Sequence, residues 1–202
     1  MEDVLDLYER PYKKHEPVVC LDERPVQLLA DTRSPLPVKP GHIAKQDYEY
    51  RRCGTCNVFC GVEPKAGRHF TKVTPNRKGT EFAKMTQRLL RAYPHAKKIH
   101  LVVDNLSTHT EKSLTDRYGV RKGKAMWKRF QVHYTPTHGS WLNQAEIEIG
   151  LFSRQCLGKD RVKRIEELDE RARAWNWRMN RKKITIDWTF TTTQARKKMK
   201  YK

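Results

Sequence analysis

The sequence predicts an α/β fold, a mixed five-stranded sheet flanked by helices, and three observations carry that reading. Segments with strand character come first, at 17–22, 26–30, 48–62 and 69–73, and only then does the chain alternate between helix and strand. The run from Ile99 to Val103 is apolar on both sides, as a central strand requires, and stops abruptly at Asp104. Leu142, Ala145, Ile149, Phe152 and Cys156, then Ile165, Leu168, Ala172, Trp175 and Met179, recur at steps of three and four. That spacing gives two helices an apolar face suited to lying on a sheet.

Taken in order, residues 1–16 read as a charged lead-in with a short helical period at Val4, Leu5 and Tyr8 before Pro11 and Pro17. Residues 17–22 form an apolar strand that ends on Asp22, and 26–30 are expected as a separate antiparallel strand. Pro35, Pro37, Pro40 and Gly41 make 33–46 a loop. Two strands, 48–62 and 69–73, are joined by the turn EPKAG. Helical spacing at Phe82, Met85, Leu89 and Leu90 predicts a helix over 80–93, which Pro94 ends. A further helix is expected from about Thr108 to Tyr118, with Ser107 or Thr108 as its cap. Residues 121–129 are a basic segment with one Trp, 130–134 the last strand, and 135–157 a loop running into a helix. The expected division is a lead-in at 1–16, a core domain at 17–182 and a solvated basic tail at 183–202.

The charge narrows the function. Across 202 residues, 42 Lys plus Arg against 23 Asp plus Glu leave a net charge of +19. Such an excess argues against a neutral small-molecule substrate and for a polyanionic partner, most simply nucleic acid. No apolar run approaches a membrane span, and the acidic start MEDVLDLYER does not resemble a secretory signal. Five cysteines, an odd number, suit a reducing cytosol better than a disulfide framework. Cys53, Cys56 and Cys60, with His69 as a fourth ligand, have spacing that zinc or an iron–sulfur cluster can use. The segment alternates like a strand, however, with Cys56 and Cys60 on one face and Cys53 on the other, which favours small hydrophobes over ligands.

Two of the predicted strands stop on an acid, Asp22 and Asp104. For Asp104-Asn105 alone, plain turn chemistry explains the pattern equally well. In a ribonuclease H-like arrangement the first and fourth strands lie side by side, and Asp22 falls next to Asp104. Neighbouring carboxylates repel unless a cation lies between them, and Mg2+ is the natural hard-oxygen choice. A third carboxylate is needed to hold two ions against a phosphodiester. Glu146 and Glu148 both flank the apolar stripe of the next helix, at about 80° from its centre, so spacing does not choose between them. Asn143 and Glu146 also have the spacing of a capping box, a structural role worth about 1 kcal/mol.

Asp22 in VVCLDE, Asp104 in LVVDNLSTH and Glu146 in HYTPTHGSWLNQAEIE resemble the three acidic motifs of DDE transposases of the mariner-related superfamily. The resemblance is nearest to bacterial insertion-sequence transposases of the group numbered six-thirty. SWLNQAE resembles that family's aromatic-Leu-Asn-x-x-Glu signature, which assigns the third acid to Glu146; DYEYRRCGTCNVF, AWNWRMN and DWTFTTTQAR extend the likeness. It implies a ribonuclease H-like core in which Asp22, Asp104 and Glu146 hold two divalent ions, Mg2+ or Mn2+. It further implies double-stranded DNA partners, transposon ends and target, with the freed 3′ hydroxyl attacking the target, typically at a TA step. A homodimer in the synaptic complex and a cytoplasmic, nucleoid-associated bacterial protein go with it. Asn105 and His109 fit the family's Asp-Asn-x-x-x-His pattern and, with Asn143, are candidates to orient a metal ligand or touch phosphate. Family members carry a helix-turn-helix before this core, whereas only 21 residues precede Asp22 here, so the chain is expected to be part of a transposase, with impaired activity.

Arg121, Lys122, Lys124, Lys128, Arg129, Arg161, Lys163 and Arg164 are candidates to hold DNA phosphates without reading sequence, which predicts binding that falls steeply with salt. Trp127, Trp175 and Trp177 read as core or helix-packing residues. Two other readings remain open, an inactive DNA-binding remnant and a general ribonuclease H-like nuclease acting on hybrids.

Overall fold

The computed structural model describes residues 1–43, 45 and 47–200. Ala44 and Gln46 of the expected 33–46 loop, and Tyr201 and Lys202 of the expected tail, lie outside the described residues. Five strands form one sheet: β1 (Val18–Asp31), β2 (Tyr50–Glu63), β3 (Arg68–Thr74), β4 (Ile99–Val103) and β5 (Phe130–Tyr134), in the order β3-β2-β1-β4-β5. The first three run antiparallel, while β4 lies parallel to both β1 and β5. This is the ribonuclease H-like mixed sheet that the strand order predicts.

The expected break between 17–22 and 26–30 is absent, because β1 is a single strand of 14 residues. Polar residues in its middle and Pro25 suggested a turn. The pairing of β1 with β4 ends at Cys20↔Val102, so Pro25 lies where one edge of β1 is already free and a missing N–H costs no ladder bond. A second correction concerns Cys53. Gln27 pairs with Thr55 but Leu29 with Arg52, so Cys53 and Gly54 together oppose Leu28 in a bulge, with Gly54 at φ 107°. The extra residue reverses the alternation and brings Cys53 to the face that holds Cys56 and Cys60, all packed in one apolar cluster with Phe152, Leu168 and Trp175.

Among the described residues seven α-helices cover the sheet. On one face α2 (Gly79–Ala92), α3 (Glu111–Tyr118) and α4 (Val120–Trp127) bury Phe82, Met85, Leu89 and Leu114 against Val19, Leu21, Leu101 and Val103. At about 1.5–3 kcal/mol for each fully buried large side chain, this layer is a principal source of stability. The basic segment 121–129 is therefore mostly the helix α4, whose Gly123 packs so closely that a Cβ there would lie 2.6 Å from the Thr115 backbone. α3 begins at Glu111 rather than Thr108, because Ser113 Oγ donates to the Thr108 carbonyl at 2.7 Å and His109 is turned into the core.

On the other face, α5 (Ala145–Phe152) continues into a π turn at Ser153–Leu157, and α6 (Ile165–Lys182) presents Leu168, Ala172, Trp175 and Met179 to the sheet. Trp177, expected to pack, instead points out and is 62% exposed, with the Arg181 guanidinium 4.7 Å above its ring. The two ends of the chain join this face. Helix α1 (Glu2–Glu9) buries Val4, Leu5, Leu7 and Tyr8, and α7 (Thr192–Met199), closed by a capping box from Thr191 to Gln194, buries Ala195 in the same cluster. The lead-in is thus a core helix, and the tail, expected to be solvated, docks on it through Arg196–Glu2 at 2.7 Å and Thr192 Oγ1 donating to Asp6 at 2.6 Å. His133 Nδ1 also donates to Asp3 at 2.6 Å, tying α1 to β5. Among the described residues no helix is long and apolar enough to cross a membrane.

Candidate active site

The parallel pairing of β1 with β4 matches Val18 to His100, Val19 to Leu101 and Cys20 to Val102. Asp22 and Asp104 each come two residues after the last pair of that register, Cys20 with Val102, and the charge of Asp104 acts on Asp22. β4 stops at Val103 while β1 runs on, so the two acids border a notch at the carboxyl end of the shorter strand.

Asn143 joins the third motif to this pair. Its side chain is 1% exposed; Nδ2 donates to the Leu21 carbonyl at 2.9 Å and reaches Asp22 Oδ2 at 3.5 Å. Its Oδ1 accepts from Ala145 N at 3.2 Å, two residues on, so the expected capping box does not form. Asn143 therefore clamps the start of α5 to β1 beside Asp22. Tyr8 supports the same loop from α1, donating to the Leu142 carbonyl at 2.7 Å.

The two glutamates of α5 have different surroundings. Glu148 is 1% exposed, and both its carboxylate oxygens lie 2.9 Å from His69 Nδ1 of β3. Glu146 is exposed in the first turn, and its charge acts on Asp22. Asp104 is held by His109, whose Nδ1 donates to the Asp104 carbonyl at 3.3 Å and lies 2.6 Å from Oδ1 in a close but poorly aligned ion-pair contact. His109 Nε2 lies 3.2 Å from Glu23 Oε2, and the Phe82 ring packs at 4.6 Å on the imidazole. Glu23 escaped the sequence reading. Strand alternation, which sends it to the face opposite Asp22, was the signal that could have separated the two.

The electrostatics follow the geometry. Burial pushes the Asp22 carboxyl up to about 7; the Glu23 N–H donated at 2.7 Å opposes this, while the charges of Glu146, Glu23 and Asp104 add to it. Contact with His109 holds Asp104 below the usual carboxylate range, against its burial. Burial works against a charge on His109, but contacts with Asp104 and Glu23 outweigh it and raise the imidazole to about 9.

The donor set suits a hard divalent cation. It consists of carboxylate oxygens that repel one another, and Asp104 Oδ1 is buried without an aligned hydrogen bond. Among the described residues no three His, Cys, Asp or Glu side chains close into a ready cage. Mg2+ does not require one, since it keeps several waters and takes one or two carboxylates plus substrate phosphates. Asn105 is exposed at the rim. Of the basic residues, Arg121, Lys122, Lys124, Lys128, Lys163 and Arg164 are exposed, but two guanidinium groups are already engaged by the protein. Arg129 donates to the carbonyls of Tyr93, Pro94 and Ala96 at 2.9–3.3 Å, and Arg161 pairs with Asp31 at 2.8 Å and donates to the Asp47 and Glu49 carbonyls at 2.7 Å.

The mixed sheet in the order β3-β2-β1-β4-β5, flanked by helices, defines the ribonuclease H-like class of folds. Within that class, residues 17–169 match the family described as DDE superfamily endonuclease, and the chain belongs to it. Among solved structures, the Mos1 transposase paired-end complex with left transposon end is similar over 91% of this chain, at 16% identity and a TM-score of 0.56. The Mos1 mariner paired-end complex with Mn gives 0.57, and a pre-cleavage Mos1 transpososome 0.56, both at 16% identity. At that identity the likeness is one of fold. The chain spans 56% of the length of each of these three proteins. A search of the curated proteins finds no match.

Proposed function

We propose that this chain is the catalytic domain of a DDE transposase, performing divalent-metal-dependent cleavage and strand transfer of double-stranded DNA during movement of an insertion sequence of group six-thirty. The observation that carries the reading is the Asn143 clamp, which binds the helix of Glu146 to β1 beside Asp22, whose carboxyl is acted on by the charges of Glu146 and Asp104. On this reading Asp22, Asp104 and Glu146 hold two ions, Mg2+ or Mn2+; one of the similar Mos1 structures contains Mn. When bound, such ions neutralise the scissile phosphate and lower the pKa of an attacking oxygen.

The chain's own residues do the rest. His109, buried between Glu23 and Asp104, orients the Asp104 carboxylate, and Asn143 fixes that of Asp22. Glu148 is spent on His69, which leaves Glu146 as the free acid of α5. Exposed lysines and arginines of α4 and of 163–164 would hold phosphates. The excursion between β1 and β2 exposes Leu36, Val38, Ile43 and Tyr48 by 63–86%, an apolar surface that suits a second copy in a homodimeric synapse. The test is incubation with supercoiled plasmid and Mg2+ or Mn2+. Nicking that is abolished by EDTA and by Asp104→Asn supports the enzyme, whereas salt-sensitive binding without nicking leaves only a DNA-binding remnant.

A further inference from the structure

β1 continues past Asp22 on the same face with Arg24, whose strand partner Val58 lies between those of Asp22 and Val26, Cys60 and Cys56. Two residues of strand place Arg24 about 7 Å beyond Asp22. Among the described residues Arg24 makes no ion pair or hydrogen bond, and its Nε is buried without a partner. A guanidinium retained for structure would normally be paired with a carboxylate, and no described carboxylate lies within ion-pair distance of Arg24. Glu148 is held by His69, Asp31 by Arg161 at 2.8 Å, and Asp160 by Arg171 at 3.1 Å.

Arg24 opens onto a groove of about 530 Å3 between the outer half of β1 and the end of α5 with its π turn, lined also by Gln27, Arg154 and Lys159. Arg154 lies two helical turns beyond Glu146, about 12 Å along the axis, and folds back toward Gly150, where a Cβ would lie 3.4 Å from its Nη1. Arg154 and Lys159 are exposed and, among the described residues, unpaired. The groove is therefore built on the two elements that carry Asp22 and Glu146, two and eight residues beyond them, and holds three uncommitted cations, with its one lining acid paired to Arg171.

We propose that this groove binds the sugar–phosphate backbone of one DNA strand leading away from the acids, with Arg24, Arg154 and Lys159 as its phosphate contacts. The proposal rests on the DNA-processing reading above and adds to it a path for the strand. Arg24 is the inner contact, since its donor is already desolvated and pre-positioned. Arg154 and Lys159 guide the strand outward. None of the three reads a base, so the groove accepts any sequence.

Anisotropy of a short fluorescein-labelled duplex bound to the full chain in EDTA, measured across a range of salt, tests this. Each phosphate contact contributes about 0.9 to the slope of log affinity against log salt. Arg154→Gln and Lys159→Gln, both at exposed positions, should each reduce the slope by about that amount. Arg24→Gln should do the same, and Arg24→Lys should restore the slope. Lys112→Gln, at a lysine paired with Asp116 on α3, should leave the slope unchanged. Three groove variants that keep the wild-type slope, or an equal fall in Lys112→Gln, would overturn the groove while leaving the DNA-binding reading intact. Wild-type protein that binds no DNA would overturn both. A thermal melt by circular dichroism identifies any variant that has lost its fold, and the two exposed positions decide the matter if Arg24→Gln has.

Discussion

Both carboxylate oxygens of Glu148 lie 2.9 Å from the Nδ1 of His69, beneath the same helix that carries Glu146 on its exposed side. Two glutamates two residues apart thus have different surroundings, one paired to β3 and the other exposed, with its charge acting on Asp22. Glu148→Ala leaves the buried His69 Nδ1 without its partner and should cost about 1–3 kcal/mol of stability in urea denaturation. Glu146→Ala should change stability by less than about 0.5 kcal/mol yet abolish DNA nicking. The reverse pattern would exchange the roles of the two residues.

His109 supplies a pH signature. Its folded-state value of about 9 stands above the ordinary value of about 6.5, so its contribution to stability is complete below about pH 6.5 and is lost as pH rises through about 9. Stability in EDTA, followed by urea denaturation, should show a gap between wild type and His109→Gln that narrows over that window by an amount on the order of 3 kcal/mol. A gap that widens with pH would mean the imidazole is buried neutral.

Asp22 makes metal affinity depend on pH. With its carboxyl raised to about 7, the metal-free site is protonated in mild acid, and a cation must displace that proton. Mn2+ affinity measured by calorimetry should fall about tenfold per pH unit below about 7 and level off above about 8. A flat profile from pH 5.5 to 8 would remove Asp22 from the ligand set.

Asn143 offers a test of the clamp. Asn143→Ala leaves the Leu21 carbonyl without its donor and frees the start of α5. The expected loss is about 1–3 kcal/mol of stability, with a larger fall in nicking rate than that loss explains at a temperature where the variant stays folded. An unchanged rate would make Asn143 purely structural.

Much of the fold was legible because the core strands and amphipathic helices have strong periods; Ile99 to Val103 and the faces of α2, α5 and α6 lie where their spacing put them. The misreadings have local causes. Asp22 through Pro25 reads as a turn, but only because the sequence does not show that β4 stops short and leaves that edge of β1 free. Gly54 hides a bulge that returns Cys53 to the face of its neighbours. At the site, Asp104 does follow the end of a strand, whereas Asp22 lies inside β1 rather than at its end. The partnerships of Glu23 with His109 and of Glu148 with His69 depend on which distant strands meet, and no single segment encodes that. Arg129 and Arg161 looked like surface charge, although loops distant in sequence supply the carbonyls that bind them.

On the proposed function, three acids drawn from β1, the end of β4 and the start of α5 act as one metal-dependent centre. Nicking of supercoiled plasmid with Mn2+ should therefore be compared among wild type, Asp22→Asn, Asp104→Asn, Glu146→Gln and Glu148→Gln, at a temperature where circular dichroism shows all to be folded. Activity should be absent in Asp22→Asn, Asp104→Asn and Glu146→Gln and retained in Glu148→Gln. A wild-type rate in any of the first three would contradict the proposed function.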